Sequence, residues 1–493
     1  MAEVALVDVS FRDGNQSLWG ATGVRTRHIL QVAPVMDRVG FHALDFTSST
    51  HMGVAVRTHH EDPWERIRLT KAAMPDTHLQ FIGTGFRFIS WERAHPAFMR
   101  LVYERLVANG MSRFMVLDPM HDIDAVRETA KTLRAVGAGE IVAALTFTIS
   151  DVHDDAHYAG LAEQMAACPD VDRLYIKDPS GLLTPERAST LIPAVLARIG
   201  DRPLELHSHC TLGLSPRTSL HAVDLGVGTV HVGCGPLGSG TSLPEARRYI
   251  ANLRETGHTV DVDDALLDRV CDYFTRLADA DGLPHGAPRD FDASFLRHQV
   301  AGGVMTTLRR QLREIGHEDR FDQVLDEVVR VRAELGYPIM VTPFPQIVCS
   351  QALYNVIGDR RYGTVSDQTI RYVLGTFGRP AAPIDADVRE AILSRARADE
   401  LADEAEPDDP DALRARLPDG ISDEEFLLRA VMPTEEVDAM LAAGPTPRHY
   451  NPELQPVLAL LGGLRDRPPV THLTVDKPGF RLTLRTGHAA EDR

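Results

Sequence analysis

Four positions in this chain could together hold one divalent cation: Asp13 in VDVSFRDGNQS, Lys177 in LYIKDPSGLL, and His207 and His209 in LELHSHC. Two imidazoles and a carboxylate suit a borderline metal, with zinc first and manganese or cobalt as alternatives. Residues two apart on a strand project from one face, so His207 and His209 point together. The lysine is the odd member, because an ammonium cannot ligate a cation. Either it is a bystander, pairing with a neighbour such as Asp178, or it is chemically altered. A buried, neutral amine reacts with CO2 to give a carbamate, which is an anionic oxygen ligand. Each member alone also has a plain structural reading. The HxH pair could be hydrogen-bonded core polar residues, and Asp13 could be a helix N-cap or a partner of Arg12. What sets the four apart is that each lies at or just past the end of a short apolar run.

Those runs recur at a regular interval over residues 4–10, 41–47, 79–85, 112–118, 140–150, 171–178, 204–209 and 229–233. Between them lie segments with helical apolar spacing, such as ERAHPAFMRLVYERLVANG and PERASTLIPAVLARIG, both closed by glycine. Eight strands each followed by a helix, within about 250 residues, are the pattern of a (β/α)8 barrel, whose strand C-termini converge on one face. A doubly wound sheet would carry a glycine-rich turn after its first strand, and RDGNQ is no such turn. The expected fold is therefore an α/β (β/α)8 TIM barrel over residues 1–290 with a C-terminal, mainly helical domain over 291–440. The helical reading rests on TTLRRQLREIG, RFDQVLDEVVRVRAELG, FPQIVCSQALYNVIG and TIRYVLGTFG. Ser422 is placed to cap a further helix, with Glu425 three residues on. In the tail, 441–493, THLTVDKPGFRLTLR alternates around Lys-Pro-Gly as a β-hairpin does.

A formal net charge of −18 on 493 residues argues against nucleic acid or an anionic membrane as partner. No stretch reaches a membrane-spanning length, and the first apolar run reads as a strand rather than a secretory leader. Five scattered cysteines without knuckle spacing read as small buried hydrophobes and fit a reducing, cytoplasmic setting. The GCGPLGSG loop after the eighth strand could cradle a phosphate-bearing CoA substrate or be a tight turn, the second being favoured.

The segments RDGNQS, TFTISDVH, YIKDPSGLLTP, LHSHCTLG, PLGSGTSLP and HQVAGGVMTTL, with GRPAAPIDADVRE and LPDGISDEEFLLRAVMP further on, resemble the carboxyltransferase family of biotin-dependent enzymes. That family includes the pyruvate carboxylase carboxyltransferase domain, the oxaloacetate decarboxylase α subunit and the transcarboxylase 5S subunit. The resemblance runs in order from residue 4 to about 440. It implies Asp13, carbamylated Lys177, His207 and His209 as metal ligands, and Gln16 in the substrate pocket, with Arg12 beside it as a further substrate contact. It implies Arg87 as the holder of a keto-acid carboxylate, and Thr306 as the proton shuttle between biotin and substrate carbon. Thr307 is as plausible as Thr306 on chemistry alone. The implied reaction moves a carboxyl group between carboxybiotin and a 2-keto acid such as pyruvate or oxaloacetate. With no Met-Lys-Met biotinylation site and no ATP-grasp region in the sequence, biotin is expected in trans. A biotin carboxyl carrier protein and a biotin carboxylase would be separate chains, and a homodimer is implied. The first loop reads RDGNQ rather than RDAHQ, and FISWERAHP and DFTSSTHM also depart from the family pattern. These departures leave the acceptor open and keep a biotin-independent metal-dependent C–C lyase or Claisen-type synthase as the alternative.

Overall fold

The computed structural model describes residues 2–300, 302–465, 472–477 and 480–485. Each predicted run forms a strand: β1 (Ala5–Asp8), β2 (Ala43–Ser48), β3 (His78–Gly83), β4 (Arg113–Val116), β5 (Glu140–Thr146), β6 (Arg173–Asp178), β7 (Leu204–Ser208) and β8 (Thr229–Val232). The strands are parallel and close in sequence order, β8 pairing back onto β1. Helices such as Pro63–Ala73, Pro96–Ala108 and Pro185–Leu196 form the outer ring. Proline opens each of these three at a position whose N–H has no intrahelical partner, and the preceding Asp62, His95 or Thr184 side chain accepts a first-turn N–H. The main core lies between strands and helices.

The barrel interior is divided by chemistry. Met115, Leu117, Val142, Ala144 and Tyr175 make a small apolar cluster. Elsewhere the inward side chains are polar or charged. Arg113 on β4 donates to both carboxylate oxygens of Glu205 on β7, at 2.6 and 2.7 Å. These strands are not neighbours, so the pair spans the lumen, and both residues are fully buried.

Among the described residues the chain from Ser294 to Arg465 forms helices and no strands, as the four apolar-periodic segments predict, and a second core gathers the helices Phe321–Glu334, Phe344–Ile357 and Asp367–Leu374. From Asp423 the chain returns to the barrel. Ser422 caps the helix Asp423–Arg429 by accepting the Glu425 N–H. Phe426 meets Phe98 edge-on, and Glu424 accepts from Arg68 and Asn109. The two arms of the predicted hairpin pair antiparallel as β9 (His472–Lys477) and β10 (Phe480–Arg485), with the Pro-Gly turn outside the described residues. All five cysteines are buried and free. Among the described residues no helix is long and apolar enough to cross a membrane.

Candidate active site

After β1 the chain turns through Ser10–Gly14 into a short helix, Asn15–Trp19, and this turn carries Asp13 over the barrel mouth. The turn sits hard against the loop after β8. A Cβ at Gly14 would stand 2.8 Å from the Leu237 carbonyl oxygen, which gives the RDG spelling a steric cause. Across the β6–β7 ladder Lys177 is in register with His207, and His209 follows just beyond the strand end.

The structure brings the four positions together. His207 Nε2 lies 3.2 Å from Asp13 Oδ2 and 3.2 Å from His209 Nε2, and His209 Nε2 lies 3.5 Å from Asp13 Oδ1. Lys177 Nζ is 3.3 Å from His207 Nε2 and 3.8 Å from Asp13 Oδ2. Asp13 is thus the acidic partner of Lys177. Asp178 faces the other way, accepting from Leu182 N, Leu183 N and Ser208 Oγ, because successive strand residues point to opposite faces. Bonds of about 2.0–2.2 Å to a divalent ion set neighbouring donors about 3.0–3.5 Å apart, so Asp13, His207 and His209 fit such an ion.

The surroundings prepare these donors. Burial opposes ionisation of Asp13, but Arg12 and the two histidines outweigh it and hold the carboxyl well below the usual range. Arg12 is itself buried and committed, reaching Asp13 at 3.0 Å and Asp45 at 2.5 and 2.8 Å. His207 is kept neutral first by burial and then by Lys177. Burial brings the Lys177 amine down to about 8, which leaves a neutral fraction near neutrality. His209 Nδ1 is 2.8 Å from the Thr241 carbonyl. A carbonyl only accepts, so Nδ1 carries the proton and Nε2 presents a lone pair. Thr241 belongs to the glycine-rich loop after β8, which also binds the β1 and β7 loops through Ser17 O, Ser10 Oγ and Cys210 N. That loop is a tight packing turn.

The cluster floors a cleft of about 460 Å³, to which Arg12, Gln16 and Arg87 contribute from the barrel and Val304, Thr307 and Met340 from the helical part. Arg87 is half-buried, and burial lowers its pKa to about 10. Its guanidinium lies over the Trp91 ring at 4.3 Å, and among the described residues no carboxylate pairs with it. Thr306 is on the helix Gly302–Glu314, and its side chain lies outside the described residues.

Sequence reasoning missed what docks that helix. Gln299, in left-handed backbone at φ 55°, accepts from Thr148 Oγ1 at 2.7 Å and donates to the Ile149 carbonyl at 2.7 Å. Arg332 adds bonds to the same two residues at 2.9 Å. Both partners lie in TFTIS, so two motifs distant in sequence form one joint. The HQVAGG segment contained Gln299, but nothing local assigns it a partner.

Fold and site together define a (β/α)8 barrel whose mouth carries a donor set fit for a divalent cation, roofed by a helical unit. The match to known proteins is specific. Residues 295–443 fit the model of a conserved carboxylase domain. A pyruvate carboxylase subunit of Methanocaldococcus jannaschii is 34% identical over 79% of this chain and 68% of its own length. The 2-oxoglutarate carboxylase large subunit of Hydrogenobacter thermophilus is 30% identical over 91% of this chain and 70% of that relative. The carboxyl transferase domain of Rhizobium etli pyruvate carboxylase, solved with pyruvate, superposes with a TM-score of 0.82 at 23% identity, covering 98% of this chain and 83% of that one. The chain belongs to the biotin-dependent carboxyltransferase family and is a carboxyltransferase. The lyase or synthase alternative leaves the match over residues 295–443 unaccounted for.

Proposed function

We propose that this protein moves a carboxyl group between carboxybiotin on a separate carrier chain and a 2-keto acid of the pyruvate, oxaloacetate or 2-oxoglutarate type. The observation that carries this reading is the half-buried Arg87 guanidinium, with which no carboxylate pairs among the described residues, lining the same cleft as Asp13, Lys177 and His209. A planar guanidinium in such a setting binds a substrate carboxylate through two parallel bonds. Asp13, His207, His209 and a carbamylated Lys177 would hold the metal, which supplies Lewis acidity toward the keto oxygen when bound.

The protein's own residues do the rest. Arg87 fixes one end of the substrate, and Gln16, on the short helix Asn15–Trp19, contacts it from the wall of the same cleft. Arg12, tied to Asp45, holds Asp13 in place. The helix Gly302–Glu314 closes over the cleft and keeps water from the CO2 released when the N–carboxyl bond of carboxybiotin breaks. Thr306 carries the proton from the substrate carbon next to the keto group to the ureido nitrogen, and that carbon then bonds to CO2. A hydroxyl is a weak base, so this role depends on placement. The carrier and a biotin carboxylase are separate chains in this reading, and the enzyme is a homodimer. A transfer assay with a carboxylated biotinyl carrier against a panel of 2-keto acids tests it. Biotin-dependent turnover of at least one keto acid is expected; cleavage or condensation without biotin, and no transfer to any keto acid, would overturn it.

A further inference from the structure

A second cavity, of about 180 Å³, lies between the barrel and the helical part and shares no lining residue with the catalytic cleft. Its barrel wall comes from the loop after β4, at His121, and from the segment after β5, at His153 and His157. The facing wall is the turn at Tyr337 and the stretch that begins at Arg379. Proline and aliphatic side chains fill in the rest, among them Leu161 and Ile339. An apolar cavity of about 150 Å³ takes up benzene, so this one has room for a body of that size with a small polar head.

The polar groups around this space have donors to offer and no acceptor to meet them. His121 Nε2 accepts the Thr146 N–H at 2.8 Å, so its proton sits on Nδ1, which has no partner among the described residues. His157 Nε2 is buried and also without a partner there. His153 Nδ1 is 2.7 Å from Ser150 Oγ, and its Nε2 is unpartnered among the described residues. The exposed Arg379 guanidinium pairs with no carboxylate among the described residues. No Asp or Glu of that set lines the cavity, and the nearby Asp118 is spent on the Met120 and Asp122 N–H groups. What the site lacks is an acceptor, and an anionic one suits Arg379 best.

A metal ion does not answer this description. Among the described residues only Asp13, His207 and His209 bring three ligand atoms within 4.8 Å of one another, so the three imidazoles here stand too far apart to share an ion. The backbone singles out the same place. His121 and Tyr337, one on each wall, hold left-handed φ values of 55° and 61°. Such backbone is costly for residues with side chains and gathers at ligand sites.

We propose that this cavity binds a small carboxylate with an apolar body, and that its occupancy fastens the helical part to the barrel. The volume is too small for a nucleotide, and one guanidinium among apolar walls favours a single carboxylate over phosphate. Each wall also runs on into the cleft, through Leu117 on one side and Met340, next to Ile339, on the other. A ligand that needs both walls binds only the docked arrangement and shifts the protein toward it. This occupancy is independent of which keto acid the cleft accepts.

Calorimetric titration of the full chain with benzoate tests the site, in an Arg87→Ala background so that the cleft does not compete. One benzoate per chain is expected, with benzamide, its uncharged isostere, at least about fivefold weaker. Arg379→Ala, at an exposed position, should weaken benzoate at least about fivefold. Leu161→Trp, which fills the cavity, should abolish binding, and bound benzoate should slow proteolysis after residue 300. Benzoate held equally well by both variants would overturn the site, as would no binding at millimolar concentration. Benzamide as tight as benzoate, or inorganic phosphate tighter than it, would overturn the carboxylate assignment. Binding without protection from proteolysis would overturn the fastening. If Leu161→Trp does not fold, Arg379→Ala and benzamide still decide.

Discussion

Lys177 Nζ lies 3.3 Å from Nε2 of His207, its neighbour across the β6–β7 ladder. Left as an ammonium it can only fill the site with a donor; as a carbamate it brings an anionic oxygen to the same place. With 13C-labelled bicarbonate we expect one carbamate resonance in the metal-loaded protein. Lys177→Gln should lose that resonance and bind divalent metal at least about tenfold more weakly. Metal-loaded protein without the resonance would rule the modification out.

Arg87 tests the substrate end of the cleft independently. Charge-assisted hydrogen bonds contribute about 1.5–3 kcal/mol, so Arg87→Ala should raise KM for the keto acid about 10- to 100-fold. Metal content should be unchanged. Arg87→Lys keeps the charge but loses the fork, and should recover only part of the loss. An unchanged KM would move the carboxylate site elsewhere.

Thr306 and Thr307 are adjacent on one helix, and Thr307 lines the cleft. Thr306→Ala should abolish carboxyl transfer while leaving metal content and fold intact. Thr307→Ala should retain most activity. The reverse outcome would transfer the proton-relay role to Thr307.

Gln299 is buried and makes its bonds to Thr148 and Ile149 with both ends of its amide. Gln299→Leu leaves those barrel groups short of partners, at a cost of about 1–3 kcal/mol for each one unsatisfied. The helical part should detach more readily from the barrel, seen as faster proteolysis after residue 300 and a lower kcat at unaltered metal content. Proteolysis no faster than in the wild type would mean the joint rests on Arg332 and apolar packing alone.

His121 Nε2 accepts the Thr146 N–H at 2.8 Å, so it must stay neutral. Burial lowers both His121 and His153 to about 3. The unfolded chain binds protons near 6.5 that the folded one refuses, so stability is intact above that pH and falls as pH drops toward 3. Each histidine contributes a slope of up to about 1.4 kcal/mol per pH unit. Urea unfolding across this range should show the decline, and His121→Gln, which accepts without titrating, should make it shallower. An identical slope in the variant would remove His121 from the account.

Much of the site was legible from order alone. Apolar runs at regular spacing marked the eight strands, and a parallel barrel sends every strand C-terminus to one face. Asp13, Lys177, His207 and His209 were therefore expected to converge, and in the structure they do. Residue types also indicated which chemistry the four could share.

Partnership needed the closed barrel. The sequence suggested a neighbour such as Asp178 as the partner of an unmodified Lys177, whereas strand parity and register turn Lys177 to Asp13. Arg113 and Glu205 sit inside apolar runs 92 positions apart, and only closure puts them across one lumen. His231 reads as an ordinary polar residue in TVHVG until β8 lies beside β7 and sets it against Glu205. Gln299 gains meaning only when the helical part settles on TFTIS. Local sequence fixes the direction each side chain leaves its strand. What that side chain meets is set by long-range packing, which no local pattern encodes.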